Sequence, residues 1–85
     1  MNLRQEKRRL ARVFAHEIFQ ARSRLGWTQQ KTADTVFISL RWYQKIEAGR
    51  VVPSFLVGIC LMKLFDIEPE RLVGEVQLDV SVSAH

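Results

Sequence analysis

The sequence predicts one all-α domain of five helices, followed by a single β-strand. Three observations carry this. The chain has 85 residues, enough for one small domain around one core. Between residues 3 and 73 apolar side chains recur at three- and four-residue spacings, in blocks bounded by the few glycines and prolines. From Val76 the period drops to two. Several function classes fall away on composition alone. One cysteine, Cys60, cannot form an internal disulfide, which excludes a disulfide-stapled mini-protein. His16 and His85 are too far apart for a zinc finger, and no metal or cofactor is expected. No run approaches the roughly 18–20 apolar residues of a membrane span. Residues 1–12 are charged and lack a signal-peptide pattern, so a soluble cytoplasmic protein is expected.

The first helix spans residues 3–25. Leu3, Leu10, Phe14, Ile18, Ala21 and Leu25 form its predicted inner stripe, and Gly26 ends it. Thr28 is the N-cap of a short second helix, Gln29–Thr35, with Ala33 as its small inward residue. Lys31 stands where a complete capping box has Glu or Gln. Phe37-Ile38 makes the turn. Ser39 caps a third helix, Leu40–Ala48, which Gly49 stops. Tyr43 and Ile46 define its inner face, and Leu40, Arg41, Gln44 and Lys45 are free to point outward. Val51-Val52-Pro53 is extended, because a residue before proline avoids the helical region. Ser54 caps a fourth helix, Phe55–Phe65, apolar nearly all round. Asp66-Ile67-Glu68 is a loop, and Pro69 opens a fifth helix that runs to about Val73. Val76, Leu78, Val80 and Val82 then alternate with polar residues as a one-sided strand. Two regions follow: residues 1–74 as the helical domain and 75–85 as a strand and tail.

Charge is unevenly divided along this plan. Residues 1–50 hold 11 Lys/Arg against 4 Asp/Glu, and residues 51–85 hold 2 against 5, which splits the net +4 into +7 and −3. A basic section beside an acidic one suits an anionic polymer on one face and a different partner on another. A chance imbalance of solvated charges is the plain alternative.

The middle of the chain reads as helix, tight turn, helix, which is the helix-turn-helix unit. Over residues 22–72 the sequence also resembles the Xre/Cro-type helix-turn-helix family, which includes phage repressors. The resemblance rests on Arg22-x-x-Leu25-Gly26-Trp27-Thr28-Gln29, on Ala33 and Val36, and on Ser39 to Gly49 with its terminal Ile-Glu-x-Gly. Pro53-Ser54 and Leu64-Phe65-Asp66-Ile67 extend it. Thr32, Phe37, Gly58 and Met62 depart from the family's usual Leu, Gly, Leu and Ala. The resemblance implies a five-helix repressor-like fold and a transcriptional regulator that binds double-stranded DNA. The third helix would then enter the major groove as the recognition helix.

Each candidate contact follows from side-chain chemistry. Arg41 can bond O6 and N7 of guanine, Gln44 can bond adenine, Lys45 can reach a base or phosphate, and Leu40 can meet a thymine methyl. Thr28 and Gln29 stand at a helix N-terminus that favours phosphate, although capping alone also accounts for Thr28. Trp42 either packs toward the second helix or stacks on the sugar-phosphate edge. Arg50 is placed for a phosphate. The resemblance makes Arg22 and Glu47 an internal ion pair, structural in role. For the basic run Arg4, Lys7, Arg8, Arg9 and Arg12, a row of phosphate contacts and a solvated helix face both stay open.

A lone strand needs a partner for its ladder groups, and a second copy about a two-fold axis supplies one. Leu56, Val57 and Cys60, on the over-apolar fourth helix, point the same way. The expected dimer interface therefore comprises Leu56, Val57, Cys60, Val76, Leu78, Val80 and Val82. Such a homodimer sets two recognition helices about 34 Å apart. The second reading is an antitoxin-like interaction module that also represses its own operon. No constellation fits an enzyme, since His16 near Glu17 and Cys60 in an apolar run both lack catalytic partners. The length leaves no room for a small-molecule ligand domain.

Overall fold

The computed structural model describes residues 2–73. The helices are α1 (Leu3–Leu25), α2 (Gln29–Thr35), α3 (Leu40–Glu47), α4 (Phe55–Phe65) and α5 (Pro69–Val73). These match the sequence plan, except that α3 ends one residue early, with Ala48 as its C-cap. No strand occurs among the described residues. The predicted strand, with Val76, Leu78, Val80 and Val82, and the predicted boundary at residue 74 lie outside them.

Side chains close the helix starts as their types require. Thr28 accepts from the Lys31 N–H at 3.0 Å, Ser39 from Trp42 at 3.0 Å and Ser54 from Val57 at 3.3 Å. Asn2 does the same for Gln5 at 3.2 Å, a cap the sequence reading passed over. Four helix ends share a second device. At Gly26, Phe37, Gly49 and Asp66 the chain turns left-handed, and the next N–H bonds back five residues, to Arg22, Ala33, Lys45 and Met62. Glycine suits that conformation. Phe37, at φ 60°, and Asp66, at φ 54°, adopt it at a steric cost of order 1–2 kcal/mol each.

α1 is the spine. Its buried stripe is Ala11, Phe14, Ala15, Ile18 and Ala21, which packs against α3, α4 and α5. The core continues through Ala33, Tyr43, Ile46, Leu61, Phe65, Ile67 and Leu72. Ala11 and Ala15 are buried where the turn after α3 rests on α1. A methyl added at Gly49 would lie 3.5 Å from the Arg12 Cα and 3.6 Å from the Ala15 Cβ. Leu3 and Leu25, predicted inward, are 72% and 56% exposed. Leu3 lies two turns before the first buried residue, and Leu25 ends the helix where the chain turns away at Gly26.

α4 is two-sided despite its uniform composition. Leu61 and Phe65 are buried, and Val57 packs half-buried against the core. Val57 is one turn before Leu61, on the same face, so part of its surface is already taken by this domain's own core. Phe55, Leu56, Ile59 and Cys60 remain exposed. Arg71 on α5 donates to Glu17 on α1 at 2.9 Å.

Candidate nucleic-acid interface

Positioning of α3 rests on a polar network at the junction of the first three helices. The Arg22 guanidinium meets Glu47 with both arms, Nε to Oε2 and Nη2 to Oε1, each at 2.8 Å. Its third nitrogen, Nη1, donates to the Trp27 carbonyl at 2.8 Å. Gln29 Nε2 donates to Glu47 Oε1 at 3.0 Å, and the Tyr43 hydroxyl donates to Oε2. The side chains of Arg22 and Glu47 are only 15% and 7% exposed. One carboxylate thus accepts from α1, α2 and α3, and fixes the angle between α2 and α3. Trp27 packs its edge on Phe65 with ring centroids 6.0 Å apart, while the Lys31 ammonium sits 4.2 Å above its ring.

The network has an electrostatic signature. Burial alone would push Glu47 up, but the bonds from Arg22, Tyr43 and Gln29 outweigh it and hold the carboxyl below its usual range. The bond to Glu47 holds the Arg22 guanidinium above its usual value against the opposing effect of burial. Burial first, and then the bond to Glu47, raises the Tyr43 phenol, so it stays protonated and donates at neutral pH. A depressed carboxyl stabilises the fold above its unfolded value, about 4.3, and that contribution is lost as pH falls through the lower folded value. Urea midpoints should therefore hold near neutrality and fall below about pH 4. A Glu47→Gln variant should be less stable at pH 7 and show a flatter acid limb.

The exposed side of α3 carries what remains. Arg41 projects into solvent and makes no ion pair among the described residues. Gln44 is exposed, with its amide donating to Gln29 Oε1 at 3.2 Å. Lys45 is half-buried, its ammonium 5.9 Å from the Trp42 ring centroid. Trp42 is 37% exposed, and Arg50 is exposed just past the turn. Leu40 is half-buried at the start of α3. The Thr28 hydroxyl accepts the N-cap bond expected of it. Gln29 spends one amide N–H on Glu47, which leaves only the other for an outside acceptor. Sequence reasoning missed Tyr43 as a donor to Glu47. Their i, i+4 spacing on one helix was the available signal.

Among the described residues there is no group that could hold a metal ion, and no helix long and apolar enough to cross a membrane. No family model and no solved structure matches the chain. Over 55 residues it is 31% identical to YgzD of Bacillus subtilis (strain 168), named an uncharacterised HTH-type transcriptional regulator. The match covers 65% of this chain and 83% of that protein. With the helix-turn-helix geometry already in place, this chain belongs to the HTH-type transcriptional regulators.

Proposed function

We propose that the protein is a sequence-specific DNA-binding regulator that engages its operator as a homodimer, with α3 in the major groove. The observation that carries this reading is the two-sidedness of α3. Tyr43, Ile46 and Glu47 lock one side into the domain, while Arg41, Gln44 and Lys45 line the other. Arg41, and Gln44 through whatever bonding capacity Gln29 leaves it, read bases, with Lys45 at a base or phosphate and Leu40 at a thymine methyl. Thr28, Gln29, Trp42 and Arg50 hold the flanking backbone, Thr28 through the N–H groups at the α2 start.

Selection from a random duplex library, followed by anisotropy titration, tests the assignment. Arg41→Ala should cost about 1–3 kcal/mol on the selected site and flatten preference at one base pair. Gln29→Ala should weaken binding on selected and unselected duplexes alike. Unchanged binding in both variants would remove α3 from the groove.

The homodimer is supported by α4, where Phe55, Leu56, Ile59 and Cys60 stand exposed. Beside them runs an apolar groove lined by Leu10, Phe14, Pro53, Met62 and Leu72. Covering this face with a second copy about a two-fold axis yields two recognition helices one DNA turn apart and a roughly palindromic operator. A pure chain that stays monomeric at working concentrations would instead favour the antitoxin-like reading, with a different protein on the same face.

A further inference from the structure

The first two turns of α1 do no work in the core. Its first buried residue is Ala11, and Leu10 packs half-buried against the core, so Leu3 to Arg9 overhang the domain by about 10 Å of helix. An overhang that packs on little is marginal by itself, and its charges make it more so. Arg4 and Arg8, one turn apart, and Arg8 and Arg12, one turn further, are like-charge pairs on adjacent turns. Arg4 also lies in the first turn, where the helix dipole disfavours a cation. Fold stability gives no reason for this row.

Position supplies one. The turn after α3 rests on α1 at Arg12 and Ala15, which sets the overhang beside the C-terminal end of α3. An open groove runs between them, lined by Arg4, Lys7 and Arg8 from α1 and by Trp42, Arg50 and Val51 from α3 and the chain after it. No carboxylate lines it. Arg4, Lys7, Arg8 and Arg50 make no ion pair among the described residues.

We propose that this groove binds the sugar-phosphate backbone of DNA beyond the major-groove segment read by α3, with Arg4, Lys7 and Arg8 joining Arg50 on successive phosphates. The inference rests on the DNA-binding reading and deepens it. Three cations from α1 and one from the turn after α3 converge on a single channel, with the half-exposed Trp42 indole as its wall. Phosphate contacts of this kind add affinity without reading sequence. They are also the part of binding that salt removes.

The test is the salt dependence of binding to a mixed-sequence duplex of roughly 30 base pairs, and to one selected for tight binding. The triple variant R4Q/K7Q/R8Q keeps the helix, because glutamine has a similar helical propensity and none of the three side chains is in the core. Its log affinity against log salt should be shallower by about 2–3 per bound chain, with the preference for the selected duplex unchanged. Lys7→Gln alone should shift the slope by about 0.9. Arg24→Gln, about 30 Å away along α1, should leave the slope unchanged. A wild-type slope in the triple variant, an equal shift from Arg24→Gln, or a loss confined to the selected duplex would overturn the groove alone. Failure of the unaltered protein to bind either duplex would overturn the DNA-binding reading, and this groove with it.

Discussion

Glu47→Ala is expected to destabilise the domain by about 3–5 kcal/mol, read as a lowered urea midpoint with an unchanged slope. The cause is what stays behind. Arg22 would keep a charge that is 15% exposed and lose both of its bonds to the carboxylate. The Tyr43 hydroxyl, on a fully buried residue, would lose its acceptor, as would the Gln29 amide. Each stranded polar group costs on the order of 1–3 kcal/mol. A domain of this length has a total stability of only about 4–12 kcal/mol, so the variant should be partly unfolded at 37 °C. Arg22→Ala should cost somewhat less, because the carboxylate keeps its bonds from Tyr43 and Gln29 and can take up a proton.

A double-mutant cycle separates the pair from its surroundings. With either partner gone, the other has little left to lose, so the double variant should cost well under the sum of the singles. Strict additivity would show that the two side chains act independently. Arg22→Lys is a sharper probe. It keeps the charge, but gives up the two-armed contact and the bond to the Trp27 carbonyl. Its cost should fall between wild type and Arg22→Ala. Because the same network sets α2 against α3, any folded variant of Glu47 should also bind DNA more weakly than its stability loss accounts for.

Legibility of the fold in the sequence followed the range of the interactions concerned. Caps and helix ends are local, so Thr28, Ser39, Ser54, Gly26 and Gly49 marked them directly. Phe37 and Asp66 hid two left-handed turns: Phe rarely adopts that conformation, and Asp, which does so more readily, also fits many others; backbone bonds hold both turns. The inner stripe of α1 was misjudged at both ends, since periodicity reports which face is apolar but not where the core stops. Ala11 and Ala15 had no signal of their own, as their burial depends on the turn after α3 seating at Gly49. At the site, the Arg22–Glu47 pair came from a family resemblance, and the structure adds the donors from Tyr43 and Gln29. The amide of Gln29 shows the limit of residue-by-residue reasoning. A side chain with spare donors on paper is committed to a neighbour 18 positions away. For the basic run of α1, composition left two readings level. The groove that Arg4, Lys7 and Arg8 share with Trp42 and Arg50 supports the proposed phosphate contacts, and that juxtaposition is tertiary.

Leu56→Asp is expected to convert the proposed dimer to monomers and to lower affinity for a two-half-site operator by about 10²–10⁴-fold. Leu56 is 69% exposed and takes no part in the core, so the fold of each chain should be unaffected, with stability within about 0.5 kcal/mol. In a two-fold interface the same patch meets itself. The substitution would therefore place a carboxylate in both halves of an apolar contact and remove two leucines, each worth about 1.5–3 kcal/mol on burial. Sedimentation should report the change in mass, and titration on a single half-site should show little change, since α3 is untouched. That pairing of results is specific to dimerisation. A loss on the half-site as well would mean that α4 supports the reading helix within one chain. A monomeric wild type, with Leu56→Asp silent on DNA, would assign the exposed face of α4 to a different protein. Buried Leu61, on the opposite side of α4, is the matched control: Leu61→Asp should unfold the domain outright, which ties the expected effect of Leu56 to its exposure and not to helix α4 as a whole.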